Sequence, residues 1–147
     1  SSPMPRRITR RAALRAAAAG FAAPLVYRAH AAAPSDTVYH ASIGAAGMAG
    51  SDIAALTASK HLKLVAVAEV DADKAVALKK KFPDVTVYPD WRELLDNEKR
   101  LDSVNVSTPD HTHAVATMRA IRRGLHVYTQ KPLTQTIHEA RGMTEGA

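Results

Sequence analysis

Apolar and polar residues follow two different patterns along most of the chain, one typical of strands and one typical of helices. Apolar β-rich runs predict strands at 37–43, 62–70, 85–88, 103–107 and 126–129. Segments with their apolar residues on one face predict helices at 51–59, 72–81, 91–97 and 113–123, and from 136 onward. Strands that alternate with helices in this way indicate βαβ units, so we expect an α/β fold with a doubly wound parallel sheet.

Residues that favour helix ends support these boundaries. Asp71 and Asp90 are good N-caps for the second and third helices. Gly124 supplies the residue after the end of the fourth helix, and Thr136 with Glu139 forms a capping box that opens the last one. The chain ends soon after that box, so we expect it to be the first part of a longer protein.

Two polar residues go against the predicted position of the first strand. His40 and Ser42 lie in what should be the centre of the sheet, where both faces are buried. The sequence offers no reason for them.

The positive charge is confined to the beginning of the chain. The net charge is +6, yet residues 1–31 contain six arginines and no acid, and the remainder contains 14 basic and 14 acidic residues. A neutral body does not attract a polyanion, so nucleic-acid binding is not expected. The chain has no cysteine, which excludes disulfides. It also has no apolar run long enough to cross a bilayer, so we expect no stable membrane insertion.

Residues 1–31 resemble a twin-arginine export signal. Arginines at 6–15 precede an alanine-rich apolar run at 16–23, and Ala29-His30-Ala31 matches a small-x-small cleavage site. The pair Arg10-Arg11 lies where such a signal places its arginines. We therefore expect a periplasmic or extracellular protein, with residues 32–36 as a linker. An alanine-rich amphipathic helix or a basic tail is the alternative.

A glycine-rich turn, 44–50, follows the first predicted strand. Between a strand and a helix such a turn can bind a pyrophosphate, because glycine allows close approach and the helix N-terminus offers N–H groups. The expected contacts come from Gly44, Gly47, Met48 and Ala49. Ala46 stands at the second glycine position of the G-x-G-x-x-G fingerprint and departs from it. A tight connection without a ligand is the alternative.

Glu69 lies at the end of the second predicted strand, 25 positions after Gly44. A carboxylate there accepts hydrogen bonds from the adenosine ribose and repels a 2′-phosphate. It therefore favours NAD over NADP, unless Glu69 is only a solvated acid at a strand end.

Two further loops follow the fourth and fifth predicted strands, at the edge where parallel sheets bind ligands. Ser107, Thr108 and Pro109 begin the first loop, which also contains His111 and His113. These histidines could form a metal pair, but no third ligand is evident, so we predict no metal site. Lys131 in the second loop could hydrogen-bond a ribose or polarise a substrate hydroxyl, or simply be a surface lysine.

Five segments together resemble the glucose–fructose oxidoreductase, inositol dehydrogenase and MocA family. The similarity runs from about residue 37 to 141, and Gln130-Lys131-Pro132 matches the family's Glu-Lys-Pro signature with glutamine in place of glutamate. The five segments are IGAAGMAG (43–50), VAVAEVD (65–71), YPDWRELLD (88–96), VSTPDHTH (106–113) and GLHVYTQKPLTQTIHEAR (124–141).

This resemblance implies a Rossmann domain over residues 37–147 that binds NAD, with NADP as the alternative. It implies that Lys131 contacts both the nicotinamide ribose and the substrate as a catalytic residue. It also places Thr108, Pro109 and His113 by the nicotinamide, and we add Ser107 and Gln130 to the cofactor-binding set. A C-terminal domain, absent from this chain, would supply the catalytic acid/base, most of the substrate site and the homo-oligomer interface.

Three functions are compatible with this resemblance. The first is hydride transfer between a nicotinamide and a sugar or polyol, performed by the full-length protein. The second is an NAD-dependent glycosidase of the same family. The third is a truncated, non-catalytic fragment that binds the dinucleotide.

Overall fold

The structure is a computed structural model, and it describes residues 37–147. The export signal predicted for 1–31 and the linker predicted for 32–36 lie outside the described residues. Within the described range no helix is long and apolar enough to cross a lipid bilayer.

Strands and helices alternate along the described chain, as the sequence predicts. The strands are β1 (Val38–Ile43), β2 (Leu62–Ala68), β3 (Thr86–Tyr88), β4 (Ser103–Val106) and β5 (His126–Thr129). The helices are α1 (Met48–Thr57), α2 (Ala72–Lys81), α3 (Trp91–Asn97), α4 (His113–Arg122) and α5 (Ile137–Gly146). A short 3₁₀ turn, Asp110–Thr112, precedes α4.

The five strands form one sheet in the order β3-β2-β1-β4-β5, and every neighbouring pair is parallel. The predicted doubly wound parallel sheet is therefore confirmed. From β1 in the centre the chain adds β2 and then β3 toward one edge of the sheet. It then crosses back to place β4 on the other side of β1, and β5 next to β4. The strand order thus reverses between β1 and β4, which makes this pair the topological switch point.

Helices cover both faces of the sheet. On one face Ile53 of α1 and Leu78 of α2 pack in a cluster with Val67. On the other face Leu94 of α3 and Ala120 of α4 belong to a larger cluster that includes further residues of β1, β2 and β4. Because successive side chains of a strand point to opposite faces, a central strand must be apolar on both sides.

His40 and Ser42 keep their polar side chains inside this core because each has a hydrogen-bond partner. The His40 Nε2 atom lies 2.9 Å from Asn105 Oδ1, and Nδ1 lies 2.7 Å from Ser103 Oγ. An amide oxygen only accepts, so Nε2 carries the proton and Nδ1 accepts from Ser103. Ser42 Oγ donates to the Gly44 carbonyl at 2.7 Å. Burial lowers the pKa of His40 below its usual value, which keeps the ring neutral.

The predicted caps are confirmed, but one helix begins earlier than predicted. Asp71 and Asp90 accept backbone N–H bonds at the starts of α2 and α3, and the capping box of α5 is complete. The predicted start of α1 at residue 51 was wrong, because the helix begins at Met48. The turn closes at Gly47, whose φ of +59° lets the chain enter the helix three residues sooner.

Candidate functional site

A cavity of about 660 Å³ opens at the carboxyl edge of the sheet, where the loops after β1 and β4 separate. We name it the switch-point cavity. The size is typical of a small-molecule site. Six of the predicted site residues line it: Gly44, Gly47, Glu69, Ser107, Thr108 and Pro109.

The turn after β1 approaches the loop after β4 so closely that only glycine fits at position 44. A Cβ atom on Gly44 would lie 2.6 Å from the carbonyl oxygen of Ser107, and the residue has a φ of +108°. Ala49, predicted as a cofactor contact, is fully buried and does not line the cavity, and its methyl lies 3.1 Å from that Cβ position.

The turn ends at the N-terminus of α1, which begins at Met48. The N-cap is Gly47, which has no side chain to accept a hydrogen bond from the first turn. The first N–H groups of a helix lack intrahelical partners, so this end is suited to bind an anion such as a pyrophosphate. Met48 is exposed, and Ala46 is exposed without a positive φ, so its methyl group does not strain the turn.

Glu69 joins the turn to the end of β2. Its Oε2 atom accepts from the N–H of Ala45 at 3.0 Å, and Oε1 accepts from the N–H of Asp71 at 3.1 Å. Each carboxylate oxygen has a second lone pair, so Glu69 retains the capacity to accept from ribose hydroxyls. This support of the turn is a structural role that the sequence did not indicate.

Lys74 of α2 also lines the cavity near Glu69. Its ammonium group forms an exposed ion pair with Asp71 at 3.3 Å. Hydrogen bonds from the backbone and the ammonium group of Lys74 lower the pKa of Asp71. Asp71 is therefore anionic at neutral pH, and it competes with any bound phosphate for this lysine.

His113 does not line the cavity. It supports the loops around the cavity through its hydrogen bonds. The imidazole is fully buried, with Nδ1 2.7 Å from the carbonyl oxygen of Pro132 and Nε2 2.8 Å from that of Thr108. It thus connects the loops after β4 and β5. Both ring nitrogens point at carbonyl groups rather than toward His111, and residues 37–147 contain no group of three metal-ligating side chains.

Gln130 and Lys131 follow β5 at the same edge of the sheet. The Gln130 N–H donates to the Val106 carbonyl at 2.9 Å, which continues the β4–β5 pairing by one residue. Lys131 is exposed, and the peptide bond to Pro132 is cis. Neither Gln130 nor Lys131 lines the switch-point cavity.

Sequence reasoning missed three groups at this edge. Trp91 and Arg92 line the cavity after β3, with the guanidinium 4.4 Å from the centre of the indole ring. The rule that loops at carboxyl strand ends bind ligands could have found them, since it applies to β3 as well. Asp52 of α1 accepts from Ser107 Oγ at 2.6 Å. The sequence did carry a signal for Asp52, because an acid stands almost directly after the glycine-rich turn, which is a candidate anion site.

The residues around the cavity fit a dinucleotide. The open space beside Gly47, where a Cβ would meet nothing within 4 Å, together with the uncapped start of α1, suits a pyrophosphate. Glu69 lies on one side for a ribose, and Trp91 offers an aromatic surface for a base. Thr108 and Pro109 lie across the cavity, where the second half of the ligand would extend.

Comparisons with known proteins agree with this fold. Residues 39–147 match the model of the GFO_IDH_MocA group, described as an oxidoreductase family with an NAD-binding Rossmann fold. The chain is 35% identical over 86 residues to the D-glucoside 3-dehydrogenase of Escherichia coli, covering 58% of this chain and 24% of that protein. It is 37% identical over 106 residues to a dTDP-3,4-didehydro-2,6-dideoxy-alpha-D-glucose 3-reductase of Streptomyces violaceoruber, covering 68% and 30%.

Solved structures show the same fold. The myo-inositol 2-dehydrogenase of Lactobacillus plantarum superposes with a TM-score of 0.70 at 24% identity, over 75% of this chain and 32% of that one. GenD2 from gentamicin A biosynthesis, solved in complex with NAD, superposes with a TM-score of 0.69 at 27% identity, over 76% and 31%. The chain thus spans about a third or less of the length of these relatives.

Proposed function

Since this chain belongs to the GFO_IDH_MocA family of oxidoreductases with an NAD-binding Rossmann fold, we propose that it is the cofactor-binding part of a sugar or polyol dehydrogenase. The observation that carries the proposal is the glycine turn at the switch point: a Cβ at Gly47 would meet nothing within 4 Å, and the start of α1 has no capping side chain, which together leave room for a pyrophosphate. The D-glucoside 3-dehydrogenase and the dTDP-sugar 3-reductase named above support the substrate class.

The described residues would bind and orient the dinucleotide. The N–H groups at the start of α1 bind the pyrophosphate, and Glu69 accepts from the adenosine ribose. Thr108 and Pro109 position the nicotinamide half, and Ser107 and His113 hold their loop in place. When bound, the nicotinamide supplies the chemistry of hydride acceptance or donation.

Lys131 is the catalytic residue that we propose for this part of the protein. Its exposed ammonium group lies on the loop after β5, at the edge of the sheet that carries the cavity. From there it can donate to the nicotinamide ribose and to a substrate hydroxyl, which orients the carbon that exchanges hydride. We assign the acid/base for the hydroxyl proton, and the homo-oligomer contacts, to the second domain that the family resemblance implies.

We also propose export to the periplasm or the cell exterior. The support is the sequence of residues 1–31, with Arg10-Arg11, the apolar run and the small-x-small site. Residues 1–36 fused to a reporter that requires the twin-arginine pathway should be secreted, and Arg10→Lys with Arg11→Lys should block secretion. Secretion that is unchanged by these substitutions would contradict the proposal.

The cofactor proposal is tested with the chain's single tryptophan, Trp91, which lines the cavity. NADH absorbs where indole emits, so bound NADH should quench the Trp91 fluorescence in a saturable titration. Added NAD should compete and restore the emission. Lys131→Met should weaken NADH binding, whereas Lys60→Met, in the turn before β2 at the opposite edge of the sheet, should not. Quenching without saturation would contradict the proposal.

A further inference from the structure

The carboxylate of Asp52 connects three elements at the carboxyl edge of the sheet. It is half-buried on α1 and accepts from Ser107 Oγ, directly after β4, at 2.6 Å. It also accepts from Gln130 Nε2, directly after β5, with distances of 3.1 Å to Oδ1 and 3.0 Å to Oδ2. One acid therefore ties α1 to both loops that the proposed function uses.

The chemistry of this contact determines the orientation of the Gln130 amide. A carboxylate only accepts hydrogen bonds, so the amide nitrogen must face Asp52 and the amide oxygen must face away. The oxygen then lies 3.3 Å from the backbone nitrogen of Lys131, whose N–H it can accept. Asp52 thereby acts on the residue next to Lys131 without contacting Lys131 itself.

The same geometry disfavours a carboxylate at position 130. Glutamate there would place an oxygen about where the Gln130 nitrogen lies, roughly 3 Å from the oxygens of Asp52. Two carboxylates at that distance repel each other unless they share a proton or turn apart. Either response breaks the connection between α1 and the loop that carries Lys131.

We propose that Asp52 is a positioning residue that holds Gln130, and through it the Lys131 loop, against the cofactor site. This accounts for glutamine where the family's signature has glutamate: the amide is the partner that a carboxylate at position 52 requires. The proposal rests on the proposed function, because it concerns how the same site is held in shape.

The test exchanges the two groups. In Asp52→Asn with Gln130→Glu, the amide moves to position 52 and the carboxylate to position 130. The nitrogen of the introduced amide can then donate to the introduced carboxylate, and the amide oxygen can still accept from Ser107 Oγ. Asp52→Asn, Gln130→Glu and the double variant are each titrated with NADH by Trp91 quenching, and their urea unfolding midpoints are measured. Asp84→Asn, on the exposed turn before β3, is the control and should match the wild type.

The effect of Asp52→Asn on NADH affinity should have opposite directions in the wild-type and the Gln130→Glu backgrounds. In the wild-type background Asp52→Asn should weaken NADH binding by a few-fold, and Gln130→Glu alone should weaken it about tenfold. Added to Gln130→Glu, the same Asp52→Asn change should strengthen binding, to within about threefold of the wild type. The urea midpoints should show the same reversal.

Each contrary result has its own meaning. If Asp52→Asn changes NADH affinity by the same factor in both backgrounds, the positioning role is overturned. If the reversal occurs in the urea midpoints but not in the NADH affinity, Asp52 serves stability alone and the proposal is also overturned. If the wild type shows no saturable quenching, the proposed function fails, and the urea midpoints alone decide whether Asp52 and Gln130 are coupled.

Discussion

Gly44 is restricted at the scale of a single residue by two separate effects. Its φ of +108° is a conformation that L side chains rarely adopt, and a Cβ would lie 2.6 Å from a backbone oxygen. The first effect strains any substitution, and the second pushes the loop after β4 away from the turn. Both act in the turn that forms one side of the switch-point cavity.

Gly44→Ala should therefore destabilise the fold and weaken cofactor binding together. We expect the free energy of unfolding to fall by roughly 1–3 kcal/mol, measured by urea denaturation. Gly142→Ala is the control, because its Cβ would meet nothing within 4 Å inside α5. That helical position should gain about 0.5–1 kcal/mol. Equal effects of the two substitutions would contradict the role of Gly44.

Glu69→Ala should reduce the preference for NAD over NADP. In the proposed site the wild-type carboxylate would accept from ribose hydroxyls and repel a 2′-phosphate, which together would favour NAD by on the order of 1–3 kcal/mol. The substitution also removes the hydrogen bond to Ala45, so affinity for both cofactors should fall. The ratio of the two dissociation constants isolates selectivity. A wild type that prefers NADP, or a ratio unchanged by the substitution, would contradict this role.

His40 should make the stability of the fold depend on pH. Burial lowers its pKa in the folded state, so below about pH 6.5 the unfolded chain binds a proton that the folded chain does not. The free energy of unfolding should then decrease as the pH falls, by up to about 1.4 kcal/mol per pH unit from this group.

The control for this effect is His40→Gln, which cannot titrate. Urea unfolding of both proteins between pH 8 and 5 should give a smaller pH slope for the variant, whatever its absolute stability. Identical slopes would show that His40 is protonated equally in the folded and unfolded states, in conflict with its burial.

The sequence indicated the site residues whose type is unusual for their position, and it missed those defined by contact. A glycine turn after a strand and an acid at a strand end are visible as patterns, and Gly44 and Glu69 do line the cavity. The hydrogen bonds of Asp52, 55 and 78 positions away from its partners along the chain, arise only when β4 and β5 align. His40 was unexplained for the same reason.

At the scale of elements, α5 depends on its capping box. Thr136 accepts from the N–H of Glu139, and the Glu139 carboxylate accepts from the N–H of Thr136. Thr136→Ala should lower the free energy of unfolding by about 1 kcal/mol, with the loss largest in the amide-exchange protection of α5. Thr136→Ser, which keeps the hydroxyl, should retain most of it. Equal losses in both variants would argue against the cap.

Boundaries set by capping side chains were predictable, and boundaries set by backbone conformation were not. The predicted ranges of α2 and α3, each opened by an aspartate, match the structure. The start of α1 does not, because Gly47 begins that helix through its φ and not through a side chain. In a glycine-rich turn the backbone can enter the helix at several positions, and the sequence does not distinguish among them.

At the scale of the whole molecule, the parallel sheet followed from the alternation of strands and helices, because a crossover helix returns each strand to the same direction. The strand order, and with it the switch point between β1 and β4, is visible only in the structure. That order brings the turn at 44–47 beside the loop at 107–109. It explains why residues about 60 positions apart line one cavity.

The central claim is that NAD binds in the switch-point cavity, and the most direct test maps the binding by NMR. In ¹⁵N–¹H spectra of the chain titrated with NAD, the largest shift changes should fall on the amides of residues 44–49, 69–71, 107–108 and 110–112. A second groove, between α1 and α2 and lined by Ala54, Ala77 and Phe82, is the internal comparison. Shift changes centred on that groove, or no changes at saturating NAD, would contradict the account.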